Sequence, residues 1–229
     1  MPIACCPLPI AYCQLSIVYC GMNNRPPLIM LLPIAGFVAF IILYFVAASV
    51  YPGGSDVNKQ SAGFSWQHNY WCELMAPDAD NGATNTSRPI AITAMIILAA
   101  SIGLCWYFTA TLFTNKKKGR WLVTYPGILS MALLFFLFTG EHDKTINFSG
   151  GFGLLALIAS LVIIFQHRQY LLFGLGIVCL ILCAANNYIY YCNRFFDYLA
   201  IIQKITFAFF LWWFGWLTWY QYKYRGTSM

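Results

Sequence analysis

The sequence predicts an all-α membrane protein: a six-helix transmembrane bundle with a short interfacial helix in the first outer loop. Of 229 residues, 60% are hydrophobic and only 9% are charged. That is too little charge to cover a soluble surface, so lipid must solvate the apolar excess. The apolar residues also gather into runs at Leu28–Val50, Pro89–Phe113, Leu122–Thr139, Phe148–Gln166, Tyr170–Tyr190 and Leu199–Tyr220. Each has about 18 residues or more, enough to cross a ~30 Å hydrocarbon core as a helix. None alternates with period two, which argues against a transmembrane barrel.

Residues 1–21 precede these runs and differ from them. They hold Cys5, Cys6, Cys13 and Cys20, three prolines and no charge. They lack the basic start and small-residue cleavage site of a signal peptide, and the cysteines lack CxxC metal spacing. Met22 is followed at once by Asn23, Asn24, Arg25 and the first span. We therefore read Met22 as the natural start, residues 1–21 as an unstructured or loosely adsorbed upstream extension, and residues 22–229 as one domain.

Basic residues orient the spans, because Lys and Arg in short loops are retained on the cytoplasmic side. Assigning the connections alternately puts Arg25, the Lys116–Arg120 run, Arg168, Lys223 and Arg225 on one face. All 7 acidic residues fall on the other, with Lys59, Arg88, Lys144, Arg194 and Lys204. Both termini are expected in the cytoplasm and the protein in a plasma or inner membrane. The formal net charge of +6 then suits contact with anionic lipid, not nucleic acid.

The first outer loop is the most specific stretch. Tyr51-Pro52-Gly53-Gly54-Ser55 breaks the first span and supplies freedom for a tight exit turn. Gly63 to Met75, GFSWQHNYWCELM, is dense in aromatics. As a short helix it would place Phe64, His68, Trp71, Cys72 and Met75 on one stripe at the headgroup boundary, or over the bundle mouth. Asn81-Gly82 is a turn, Thr86 or Ser87 is expected to cap the second span, and Pro89 suits its first turn. Asn85-Thr86-Ser87 and Asn147-Phe148-Ser149 match glycosylation acceptors. Cys72 and Cys192, both assigned to the outer side, are candidates for a disulfide.

With its Tyr51–Ser55 exit, its Gly63–Met75 segment and its Asn81–Pro89 return, the loop resembles that of bacterial six-span integral membrane proteins of unknown function. More distantly it is similar to the DRAM/Frag-type six-span family, whose first outer loop also carries an acidic-centred motif. The resemblance implies the six-span layout and assigns no catalytic residue.

Candidate site residues cluster at the outer side. His68, Asn69 and Glu73 come from the first loop and Arg88 from the start of the second span. Glu141, His142 and Asp143 lie beyond the third span, and Asn187 (beside Asn186) near the end of the fifth. Arg194, Asp197 and Lys204 have spacings that would place them on one face of the last helix. Lys204 lies inside an apolar run, where an ammonium is costly unless it is paired, hydrated or snorkelling. Asp197, Glu73 or Glu141 is the expected partner.

The favoured function is an outward polar pocket that binds a lipid headgroup or small polar ligand without a cofactor. The alternatives are a small-solute transporter and a membrane-embedded hydrolase. The hydrolase would hold zinc on His68, His142 and Asp143, with Glu73 or Glu141 as base. The Trp212–Tyr220 stretch reads as an aromatic belt at the inner leaflet.

Overall fold

The structure, a computed structural model, describes residues 27–113, 117–134, 136, 142–192 and 195–227. The described residues are all-α, with six helices: α1 Leu32–Ser49, α2 Arg88–Phe113, α3 Lys117–Leu133, α4 His142–Gln166, α5 Tyr170–Cys192 and α6 Leu199–Thr227. A 3-10 turn at Leu28–Leu31 leads into α1, and two more stand at Trp71–Met75 and Phe196–Tyr198. Among the described residues the only β pairing is two isolated bridges in the first loop, Gly53 with Ala62 and Asp78 with Thr84.

Among the described residues, five helical segments are long and apolar enough to cross a membrane: Leu28–Ser49, Arg88–Ala110, Lys144–Gln166, Tyr170–Cys192 and Leu199–Lys223. The chain is thus built as a multi-pass membrane protein. The third predicted span departs most from its expected bounds. As α3 it starts in the basic run at Lys117 and ends at Leu133, 17 residues in all. Pro126 lies inside it, where the missing N–H removes one rung of the helical ladder.

Helix α2 is the hub, touching α1, α3, α4 and α6. Small residues let these helices approach, as lipid-solvated bundles require when no hydrophobic force drives helix against helix. Gly36 of α1 lies against Ser101 of α2, and Gly127 of α3 against the Trp106 ring, where an added Cβ would stand 2.5 Å from the indole. Hydrogen bonds reinforce the contacts. Ser130 and Ser149 each donate to the other's carbonyl, at 2.7 and 2.9 Å, tying α3 to α4. Trp213 Nε1 donates to Leu172 O at 2.9 Å, tying α6 to α5. Cys105 and Thr218 meet at 3.4 Å between α2 and α6, and Gln221 donates to Thr109 across the same pair.

The tryptophan-rich end of α6 is only partly a belt. Trp212 and Trp219 face outward, while Trp213, Phe214 and Leu217 are buried against the other helices. Helical periodicity overrides composition here, since neighbours in the sequence point about 100° apart. Trp213 and Phe214 pack with Trp106, at ring separations of 6.3 and 5.0 Å.

Helices α4 and α5 touch near their connection, where Phe165 packs on Tyr170 and Phe173 and Gly176 admits Leu161. At their other end a hydrogen bond from Tyr191 OH to Asn147 Oδ1, at 2.7 Å, bridges them.

Gly127→Ala is expected to destabilise the bundle by about 1–3 kcal/mol, because the Trp106 ring fills the space of the new methyl. A lowered thermal midpoint in detergent would show it. A midpoint equal to the parent's would mean that α2 and α3 are free to separate.

Candidate functional site

The loop joining α1 to α2 is a folded cap built round one buried amide. Gly53 and Gly54 leave α1 with φ of +132° and +86°, a backbone that side chains rarely permit. The turn aims Gly54 O at Asn69 Nδ2, which donates to it at 2.8 Å. The same nitrogen donates to Glu73 and stands 3.4 Å from Asp80 Oδ2. Asn69 Oδ1 accepts the Ser65 N–H at 2.7 Å. Asn69 is thus fully buried with its side chain satisfied.

Glu73 also accepts the Tyr70 N–H at 3.0 Å, which secures the start of the Trp71–Met75 turn in the manner of a capping box. Burial in the cap, with the Asp80 carboxylate beside it, pushes the Glu73 carboxyl up to about 7. Asp80 is held from outside by Lys59 at 2.9 Å, which also pairs with Asp56 at 3.2 Å.

Three contacts dock the cap on the helices. Lys204 Nζ of α6 donates to Asn69 O at 2.6 Å, and to Ala200 O of its own helix at 3.0 Å. Gln203 Oε1 accepts the Trp71 N–H at 3.2 Å, and Tyr44 OH of α1 reaches Trp71 O at 3.5 Å. The Trp71 ring then inserts among Phe40, Tyr44 and Phe207, with centroids 5.7, 4.8 and 4.9 Å away.

Beneath the turn, and between the diverging ends of α4 and α5, lies a cavity of about 530 Å³. That is ample for a small ligand or part of a lipid. Its wall is mostly apolar, with a polar strip that includes Gln203, Asn186, Thr206 and Asn147. Among the described residues no charged side chain lines it. Asn186 donates to Thr206 of α6 and to Leu182 O. Met95, Leu98, Ile102 and Trp106 of α2 all line the cavity, and the first and last of them stand about 16 Å apart along the helix axis.

This chain has no match among protein-family models, curated proteins or solved structures. Its function therefore has to be read from the geometry alone.

The structure brings together only part of the predicted site. Asn69, Glu73 and Lys204 converge, but as the core of the cap and not as the wall of the cavity. Lys204 lacks the expected carboxylate partner among the described residues; its hydrogen bonds go to backbone carbonyls, and it stands 5.6 Å from the centre of the Phe64 ring. Asp197 is exposed in the Phe196–Tyr198 turn, ahead of α6. Phe195, with φ of +61°, marks the break, so Asp197 and Lys204 do not share one α-helical face.

Asn187 is exposed at the rim of the cavity and donates to Cys183 O at 2.9 Å. Arg88 begins α2, and its Nε is buried without a partner. His68 is half-buried, and its Nδ1 is likewise unpartnered. Glu141, Arg194 and the side chains of His142 and Asp143 lie outside the described residues. Among the described residues no group of three or more His, Cys, Asp and Glu side chains could hold a metal ion.

Other details of the loop also differ from expectation. Gly63–Met75 is not one helix: only Trp71–Met75 winds, as a 3-10 turn, because Asn69 and Ser65 spend their groups on the polar core. Asn85 is buried and donates to Glu73 O and Ala76 O at 2.9 and 3.0 Å, which leaves no room for a glycan in the folded cap. Ser87 spends its hydroxyl on Leu74 O and Asn85 Oδ1. Cys72 and Cys192 are free thiols. Burial, with Glu73 adjacent, pushes Cys72 up to about 12, so it is a poor nucleophile.

Gln203, Trp71 and Trp106 were absent from the predicted site. A signal existed for Gln203, an amide beside Lys204 inside an apolar run. Trp106 had none, since the sequence does not say which face of α2 is enclosed.

The raised Glu73 carboxyl fixes a pH dependence. Its ordinary value is ~4.3, so between there and about 7 the folded cap binds more protons than the unfolded chain. Stability must fall as pH rises through that window. Allowing for solvent screening at its open side, the loss is on the order of 1 kcal/mol, or ~2–4 °C in the thermal midpoint. Glu73→Gln should flatten the dependence. A midpoint that rises with pH in the parent would contradict this placement of Glu73.

Lys204→Met should leave Asn69 O without its ammonium donor and loosen the cap, at a cost of about 1–3 kcal/mol. Protease cutting within residues 50–87 in bundle-preserving detergent would report it. Unchanged protection would show that Gln203 and Tyr44 suffice.

Proposed function

We propose that the protein is a six-span membrane protein that binds a membrane lipid, or a small amphiphile like one, in the cavity beneath its first outer loop. One observation carries the reading: an apolar cavity of about 530 Å³ with a strip of amides and hydroxyls. A cavity of this kind suits a molecule with an apolar body and a few polar atoms. In this reading α3 crosses as the sixth span. The cap is the outer lid, and the basic run at the start of α3 faces the cytoplasm, as the retention of Lys and Arg there favours.

The cap supports binding more than turnover. Its polar groups are spent on one another and on the helices, and they hold the lid closed instead of presenting free acids and bases to the cavity. The chemistry of the wall is that of recognition: donors and acceptors fixed in place, set in apolar surroundings.

Purification in mild detergent should carry a lipid along, detectable by native mass spectrometry. Ile102→Trp, which fills the mid-section of the cavity, should remove it with the fold intact. Retention of the same lipid by Ile102→Trp would place that lipid elsewhere and defeat the proposal. Orientation has its own check. A cysteine introduced between Lys118 and Trp121 should resist impermeant thiol reagents in intact cells, and one beside Asp80 should react. The reverse pattern would turn the lid inward.

A further inference from the structure

The lining of the cavity changes in character with depth. On the proposed reading that it is a lipid site, this gradient specifies the ligand and its orientation. Helix α6 runs inward from the cap and gives the cavity Gln203 and Thr206 first, then Phe207, Phe210 and Phe214. Gln203 stands directly under the cap, since it accepts the Trp71 N–H. Phe214 lies about 12 Å beyond Thr206 by helical rise.

Helix α4 follows the same order, with Asn147 near its start and Leu154 and Leu157 further in. Helix α5 returns toward the cap, and its cavity-lining residues, Asn186 among them, belong to its last three turns or so. Asn186 donates to Thr206, so α5 and α6 hold their polar groups at one level. The indole N–H groups of Trp71 and Trp106 are sealed from solvent without a partner and add nothing to the polar wall. The cavity thus has a polar section next to the cap and an apolar section that ends at Trp106 and Phe214.

The amides of the polar section are each half spent. Gln203 uses its oxygen on the cap, Asn147 uses its oxygen on Tyr191, and Asn186 uses its nitrogen on Thr206 and Leu182 O. Among the described residues the amide nitrogens of Gln203 and Asn147 and the amide oxygen of Asn186 have no hydrogen-bond partner. None of the three is among the polar atoms sealed from solvent. Donors and an acceptor therefore remain at this level. Ser130 and Ser149 show the contrasting case of side chains that join helices, each hydroxyl being spent on the other's carbonyl.

A charged head fits poorly. Among the described residues no charged side chain lines the cavity, and an unpaired charge pays a large desolvation cost in apolar surroundings. The volume of about 530 Å³ lies in the range that drug-sized ligands fill, which suits one chain with a small head.

We propose that the cavity takes a single-chain amphiphile whose uncharged head, a hydroxyl or amide group that both donates and accepts, sits under the cap among Gln203, Asn147 and Asn186. Its chain points away from the cap, toward Trp106 and Phe214.

The test uses monolauroylglycerol with a photoreactive diazirine at the far end of its chain, equilibrated with the protein in nanodiscs and mapped by peptide mass spectrometry after illumination. Label is expected on residues 102–106 and 210–214. Unlabelled monolauroylglycerol should displace it, and dodecyl phosphate at equal concentration should not. Asn186→Leu and Asn147→Leu should each lower the affinity for monolauroylglycerol by about 2–10-fold, the worth of one hydrogen bond. The label should stay on the same residues in both, which shows that the cavity persists.

Label on residues 183–191 and 199–206 instead would overturn the inference, as would equal displacement by dodecyl phosphate or parental affinity in both leucine variants. In each of these cases, loss of all labelling in Ile102→Trp would leave the lipid site itself standing. If the parent takes no label, or Ile102→Trp is labelled as the parent is, the site and the inference fall together. Should the leucine variants not fold, the parent's label map and displacement order decide the matter.

Discussion

Asn69 joins the cap to the bundle. Its carboxamide gathers Gly54, Ser65, Glu73 and Asp80, and its backbone carbonyl receives the Lys204 ammonium. A loop of nearly forty residues has little apolar interior of its own, so a saturated polar centre takes the place of a core. Such a centre stabilises only when every member is satisfied. Each of the surrounding departures from regular structure serves that end, from the left-handed glycines to the short 3-10 turn.

The centre also explains why the cap lies where it does. Lys204 and Gln203 are consecutive residues of α6, and they grip Asn69 O and the Trp71 N–H in turn. Between them they fix the direction in which the Trp71 ring enters the bundle. The ring closes the top of the cavity. Residues of both α4 and α5 line the cavity at that end.

Much of the fold was legible in the sequence. Hydropathy located the helices to within a few residues, since a lipid-solvated helix must be apolar along its whole length. The start of α3 was missed because helix propensity, unlike hydropathy, is indifferent to the charges of the Lys116–Arg120 run. The site was less legible. Polar residue types drew notice to Asn69, Glu73 and Lys204, but composition does not tell a polar core from a polar pocket. The two tryptophans that line the cavity do not stand out in a sequence that is 18% aromatic. Only the packing of α2 against α3 and α6 shows that one of them lacks an acceptor.

The hydrogen bond between Tyr191 and Asn147 joins α4 and α5 far from the place where the two helices pack. Helix α5 is closely packed on α4 near Gly176, and from there to Tyr191 runs an arm of about 22 Å. A small rotation about the packed end is therefore magnified at the bridged end. Such a swing would part the helices sideways, toward lipid, and would leave the cap's polar centre undisturbed. Under the proposed function, entry from the bilayer and folding of the cap would be separate degrees of freedom.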